Sequence, residues 1–240
     1  MSYAEGFVAS LAIGVAAMFC MAGQSRADKV DVIAIDIALE PDGKMLDEAK
    51  AANARLLGVF PQGFALDATH TPHITMVQQF VRTSDLGDVY AAANKVLAGV
   101  TPISWTLTAS KYYYIPDGQS GLGGIVVEPT ADLKGLQQKL LDAVAPYALK
   151  TGTAASFVSD DDGKDIQPSL IDYIANFGII AAGEKFNPHV TIGVGPVSYL
   201  DGMLAEPFES FSFSPVGASV YQLGAYGTAR KELIQLSVKP

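Results

Sequence analysis

Thiol chemistry is close to absent from this chain. Its one cysteine, Cys20, falls inside an apolar N-terminal stretch, so a chain processed after that stretch has no disulfide, no thiolate nucleophile and no cysteine ligand for a metal. Positive charge is short as well: 16 basic residues face 25 acidic ones, a net charge of −9 at neutral pH. An acidic surface repels polyanions over long range, so long RNA or DNA is a poor partner, whereas a small phosphate ester in a local pocket is compatible with it. A membrane-length apolar run is also missing. Residues 7–22 are apolar but too short and too rich in alanine and glycine to span a bilayer. Ser25-Arg26-Ala27 resembles a small-x-small cleavage site, and residues 1–27 are expected to be a secretory signal cut before Asp28. That reading sends the protein to the periplasm or outside the cell and leaves no membrane span in the mature chain. The alternative is an uncleaved anchor helix, because Glu5 and the lack of Lys or Arg before the apolar run make a poor start for a signal. Cleavage would remove one charge of each sign, Arg26 and Glu5, and leave the net charge unchanged.

The remainder is long enough for one large domain or two intimately packed lobes. A hydrophobic fraction of 49% with 17% charged residues is that of a globular chain with a sizeable core. Residues 30–39 alternate as a strand, with Val32 and Ala34 on one side and Ile33, Ile35 and Ile37 on the other. Pro41-Asp42-Gly43 ends it. Residues 44–57 place Met45, Ala49, Ala52 and Leu56 at helical spacing. A strand follows over 73–81, then a helix capped by Ser84 with Leu86, Val89, Ala93 and Val96 on one stripe. Residues 104–115 and 124–128 read as strands, joined by Pro116-Asp117-Gly118 and the glycines of 121–124 as a hairpin connection. Thr130 and Asp132 open a helix reaching Ala148. The run from Ser159 to Asp165 reads as a solvated acidic loop, since a calcium loop with Gly163 at its sixth position would put Val158 and Ser169 where carboxylates are required. A short helix over 169–177, a strand over 189–194, a short helix capped by Ser198 with Leu200 and Leu204, and a tail of strands complete the chain. The order strand, helix, strand, helix occurs twice, as expected of two related halves within a single domain over 28–240.

Histidine is scarce, with three in all, and two of them occupy matched positions. Thr71-Pro72-His73-Ile74-Thr75-Met76 repeats as Asn187-Pro188-His189-Val190-Thr191-Ile192. In an extended strand, His and the Thr two residues later point to one face and the aliphatic residues to the other. Proline suits the first residue of a strand, so each histidine is expected to begin its strand, at the sheet edge and close to solvent. Packed about an approximate two-fold axis, the two halves would bring the imidazoles face to face across a groove. One imidazole can accept a proton from water while the other donates one to a leaving oxygen, and the threonine hydroxyls can hydrogen-bond the non-bridging oxygens of a phosphodiester. Neither a metal nor a cofactor is needed for that, and two histidines alone make an incomplete ligand set. A single Pro-His-Ile-Thr would carry little weight. His70, outside the repeat, reads as a surface loop residue.

The paired His-x-Thr-x tetrapeptides, His73 to Met76 and His189 to Ile192, resemble the signature of the two-histidine phosphoesterase superfamily. That superfamily includes bacterial 2′-5′ RNA ligase-like proteins and eukaryotic cyclic phosphodiesterases. The resemblance implies an α+β fold of two pseudo-symmetric lobes, with antiparallel sheets flanked by helices around a central cleft. It implies metal-independent hydrolysis of 2′,3′-cyclic phosphates or 2′-5′-linked nucleotides, with His73 and His189 as the acid/base pair and Thr75 and Thr191 as phosphate ligands. A base would need an aromatic stacking surface. Phe186, Tyr221 and Tyr112 to Tyr114 are the candidates, and Gln79, in phase with His73 and Thr75, is expected to line the same groove. The leading expectation is an exported, monomeric phosphodiesterase for a 2′,3′-cyclic nucleotide or a similar small cyclic phosphate. A non-catalytic binding protein for a phosphorylated ligand, and RNA end joining, are the alternatives.

Overall fold

Asp42 ends the first strand and starts the first helix, its side chain accepting a hydrogen bond from the Met45 amide. In the computed structural model, which describes residues 31–158 and 165–239, that strand is β1 (Val32–Pro41) and the helix is α1 (Gly43–Val59). The expected signal with Cys20, and the acidic loop except for Asp165, lie outside the described residues. Alternation along β1 puts Ile33, Ile35, Ile37 and Leu39 into the main core, beneath the apolar stripe of α1, and leaves Ala34, Asp36 and Ala38 on the other face.

The same unit recurs. β2 (Ile74–Arg82) leads to α2 (Leu86–Leu97). The hairpin of β3 (Leu107–Asp117) and β4 (Ser120–Val127) leads to α3 (Ala131–Val144). After α4 (Pro168–Ala175) and α5 (Phe177–Ile180) come β5 (His189–Pro196) and α6 (Val197–Ala205). The chain closes with β6 (Phe211–Phe213), β7 (Pro215–Leu223) and β8 (Ala229–Gln235). All pairings are antiparallel, in the order β6-β3-β4-β5-β2-β1-β7-β8. The two motif strands, β2 and β5, lie side by side at the centre but share only the pair Ile74 with Val190. Two four-stranded halves therefore meet along a narrow seam.

The buried residues of α1, α2, α3 and α6 join one core on one face of the sheet. α4 packs on the opposite face, where Ile174 meets Ala34, Phe80, Phe157 and Leu223. Among the described residues no helix is long and apolar enough to cross a membrane.

Several local expectations need correction. Ser84 does not cap α2. Its hydroxyl bonds Asp85 at 2.9 Å within a single 3-10 turn, and Asp85 takes the cap position. Ser198 lies inside α6, behind Pro196. α3 stops at Val144 rather than Ala148 because Pro146 cannot continue the ladder, and a 3-10 turn follows. Gly121 to Gly124 belong to β4, not to the turn. Two of them, Gly121 and Gly124, are glycines because Tyr114 and Tyr113 of β3 lie across them: a Cβ would sit 2.7 Å from Tyr114 at Gly121 and 2.5 Å from Tyr113 at Gly124. Pro72 and Pro188 precede central strands rather than an edge, and His73 is buried.

Candidate functional site

The two motifs share a backbone irregularity that alternation alone does not reveal. On β2, Thr75 pairs with Ala38 and Val77 with Ile37, so Met76 is an extra residue. On β5, Thr191 pairs with Gly124 and Gly193 with Gly123, so Ile192 is an extra residue at the same motif position. Each is a β-bulge, which bends its strand and shifts the phase of the residues beyond it. Both extra side chains are buried in the core. The bulge on β5 uses Gly193 at φ +123, and a Cβ there would meet the Asn53 amide at 2.7 Å. Asn53 of α1 donates to the carbonyls of Ile192 and Phe64, both at 2.9 Å, and accepts from the Leu66 amide at 3.1 Å. A buried side chain of α1 thus pins the β5 bulge in place.

His73, Thr75, His189 and Thr191 all line one cleft of about 440 Å³, a volume in the range of small-molecule sites. The β3–β4 hairpin supplies Ile115, Asp117 and Leu122, α4 supplies Leu170 and Tyr173, and the turn before β8 supplies Tyr226. Each imidazole is fixed in the same way: Nδ1 donates at 2.7 Å to the carbonyl two residues earlier, Thr71 for His73 and Asn187 for His189. A carbonyl only accepts, so Nδ1 carries a proton in both rings and Nε2 is the nitrogen available for chemistry.

The 2′-5′ RNA ligase superfamily profile matches residues 60–209, more than half of the chain, and spans both motifs. The chain belongs to this superfamily. Among solved structures, TT0787 of Thermus thermophilus is similar over 86% of this chain and 98% of its own, at 13% identity and a TM-score of 0.53. That likeness shows the shared fold. Escherichia coli LigT complexed with NADP+ (13% identity, 88% of this chain, 100% of that one, TM-score 0.45) and Kluyveromyces marxianus Usb1 with uridine monophosphate (11%, 85%, 98%, 0.42) are more distant. No curated protein matches the sequence.

Within this superfamily member the two histidines have unlike surroundings. Nε2 of His73 lies 3.3 Å from Oδ2 of Asp36, a carboxylate fully buried on β1. The same oxygen accepts from the Thr75 hydroxyl at 2.6 Å and from Gln78 at 2.9 Å. Burial alone lowers the His73 pKa, but Asp36 and the Thr71 carbonyl outweigh it and hold it above the ordinary histidine value. Burial pushes His189 down to about 4, against the Asn187 carbonyl and with the help of the His73 charge. The edge of Tyr113 packs against His189, with ring centroids 4.7 Å apart. Burial and the Asp36 charge push Tyr173 up to about 12, so it is a neutral hydroxyl at the cleft wall.

Other expected site residues lie elsewhere. Gln79 faces the helices, where its amide donates to the Val144 carbonyl at 3.3 Å. The bulge at Met76 turns two successive residues toward the core, so Gln78 takes the place in the cleft that simple alternation assigns to Gln79. Phe186 is buried in the main core. Tyr221 is buried behind His73, 6.2 Å between ring centroids, with its hydroxyl on Glu40 at 2.9 Å. Tyr112 packs edge-on against Phe208, and Tyr114 donates to Asp201. His70 is not a surface residue: it is buried, stacked on Phe64 at 4.4 Å, with Arg230 Nη1 3.0 Å from its Nε2.

Alternation and spacing do not reveal Asp36, Gln78, Tyr173 and Tyr226 as neighbours of the cleft. The available signal was Asp36 itself, a charge in the middle of an apolar strand between Ala34 and Ala38, which must find partners when buried. Tyr226 adopts φ 58, the one non-glycine left-handed residue among those described, with Phe64 beneath its ring at 5.9 Å. No group of three or more His, Cys, Asp or Glu side chains among the described residues is placed to hold a metal ion.

Proposed function

We propose that this protein is an exported, metal-independent phosphodiesterase that opens 2′,3′-cyclic phosphates of nucleotides or small RNA ends by histidine acid–base catalysis. The observation that carries the proposal is the pair of imidazoles on one cleft, each locked through Nδ1 so that Nε2 is the nitrogen that exchanges protons, with that of His73 3.3 Å from Asp36 Oδ2. Water attacks phosphorus, one Nε2 takes its proton, and the new P–O bond forms as the bond to the ribose oxygen breaks. The other Nε2–H protonates that oxygen, giving a phosphomonoester, and exchange with solvent resets the pair.

The threonines are not equivalent in this scheme. Thr191 makes no side-chain hydrogen bond among the described residues, so its hydroxyl is free to donate to a non-bridging oxygen. The Thr75 proton is committed to Asp36, which leaves only its lone pairs toward the cleft. Tyr226 and Tyr173 replace the sequence candidates as surfaces for a base. Asp117 and Asp165 line the cleft, and no Lys or Arg does so among the described residues. That charge pattern favours a small monoanionic diester over a polynucleotide.

The test is hydrolysis of 2′,3′-cyclic AMP, with 3′,5′-cyclic AMP as the comparison. His73→Ala and His189→Ala should each lower turnover by about 10²-fold or more, leave ligand binding largely intact, and EDTA should change nothing. Turnover surviving in either variant, or lost to EDTA, counts against the proposal.

A further inference from the structure

The two motifs correspond residue by residue in strand register, and the correspondence fails at one pair. Thr75 faces Ala38 on β1, and two residues before Ala38 stands Asp36, opposite Gln78. Thr191 faces Gly124 on β4, and two residues before Gly124 stands Leu122, opposite Val194. The proline, the histidine, its Nδ1 bond to the carbonyl two residues back, the threonine and the bulge are all duplicated. The polar pair Asp36–Gln78 is not: its counterpart is the apolar pair Leu122–Val194. The chemical difference between two otherwise matched imidazoles therefore originates here.

We infer that Asp36 is a positioning residue that divides the work of the pair, holding His73 as the protonated donor to the leaving oxygen and leaving His189 as the neutral acceptor of the water proton. This rests on the hydrolase reading above. A fully buried carboxylate needs a counter-charge, and Asp36 has none among its hydrogen-bond donors, which are the neutral Thr75 and Gln78. Its Oδ1 makes no hydrogen bond among the described residues. Among the described residues, the ion pair open to it is with an imidazolium at His73.

The other groups around His73 do not compete. The Thr71 carbonyl favours the imidazolium, and the Tyr221 hydroxyl is engaged by Glu40. Across the cleft stand neutral Tyr173 and His189, and like charge discourages protonation of both histidines at once. His189 faces the Asn187 carbonyl, the Tyr113 ring and His73. Titratable groups whose surroundings push them apart mark the acid and the base. The ester oxygen that leaves then lies on the β2 side and the attacking water on the β5 side. His73 Nε2 gives its proton to the departing ribose oxygen, and His189 Nε2 takes the one released by water.

With three histidines in the full chain, imidazole nitrogen NMR resolves each titration. In the wild type, His73 should titrate above the ordinary 6.5 and His189 below it. In Asp36→Asn the His73 midpoint should fall by about one unit or more while His189 moves less. With 2′,3′-cyclic AMP, kcat should drop at nearly constant KM, and the alkaline limb of kcat/KM should move to lower pH. A purely structural Asp36 would lower the folded fraction without moving either the midpoint or the limb. His189 titrating above His73 in the wild type overturns the inference even if the variant fails to fold, as does an unmoved His73 midpoint in a folded variant. The expected titrations without any turnover would support the electrostatic division and sink only the hydrolase reading.

Discussion

The surroundings of His189 favour its neutral form and those of His73 its charged form, so the two contribute to stability with opposite pH dependence. The His189 pKa is depressed to about 4, so its contribution is present above the ordinary 6.5 and is lost as pH falls toward 4. The His73 pKa is raised, so its contribution is full below 6.5 and is lost as pH rises through the folded value. In urea titrations the wild type should therefore lose stability relative to His189→Gln between pH 6.5 and 4, and relative to His73→Gln on the alkaline side. The reverse ordering would mean that the ring environments are not those described. Tyr226 carries the other residue-level test. Asparagine tolerates the left-handed backbone that tyrosine adopts at φ 58, so Tyr226→Asn should fold with a nearly unchanged Tm. It should raise KM for 2′,3′-cyclic AMP several-fold if the ring stacks on the base, and an unchanged KM removes it from the site.

The motif strands and the long helices were legible because their signals are local. The stripe of Met45, Ala49, Ala52 and Leu56, and that of Leu133, Leu136, Leu140 and Val144, became the buried faces of α1 and α3. The bulges were not legible, because an extra residue is defined by the strand opposite and nothing in His-x-Thr-x announces it. Simple alternation therefore assigns Gln79 to the cleft, where Gln78 stands. The glycines of β4 are ambiguous for a related reason: they read as a turn, but Gly121 and Gly124 make room for Tyr114 and Tyr113 of β3 across the ladder. The β5 bulge depends on Gly193 and Asn53 together. Gly193→Ala must place a Cβ at φ +123 and against the Asn53 amide, so a loss of about 2 kcal/mol or more is expected from backbone strain and displaced hydrogen bonds. Asn53→Ala should cost a similar amount, and the double variant less than the sum, because both changes act on one feature. Additive losses in denaturant titrations would show that the bulge is held otherwise.

The pairing of two histidines more than a hundred positions apart is legible through the repeat, not through any contact. The seam is not legible. β2 and β5 share only Ile74 with Val190 before they diverge, and that splay opens the cleft between two four-stranded halves. The cleft then takes its electrostatic character from the chain as a whole, with a net charge of −9 and Asp117 and Asp165 at its walls. A short RNA ending in a 2′,3′-cyclic phosphate should thus be a poorer substrate than the mononucleotide at low salt. The gap should narrow as ionic strength rises and the Debye length shrinks below ~10 Å. A preference for the longer substrate, or a gap that widens with salt, would assign the acidic walls a different role.

The dependence of kcat/KM on pH for 2′,3′-cyclic AMP bears most directly on whether two imidazoles share one phosphoryl group as base and acid. A neutral His189 working with a protonated His73 gives a bell with a broad top: an acidic limb that descends toward about 4 as His189 gains a proton, and an alkaline limb above 6.5 as His73 loses one. A single limb across that range, or a profile that keeps both limbs when either histidine is replaced, would contradict it.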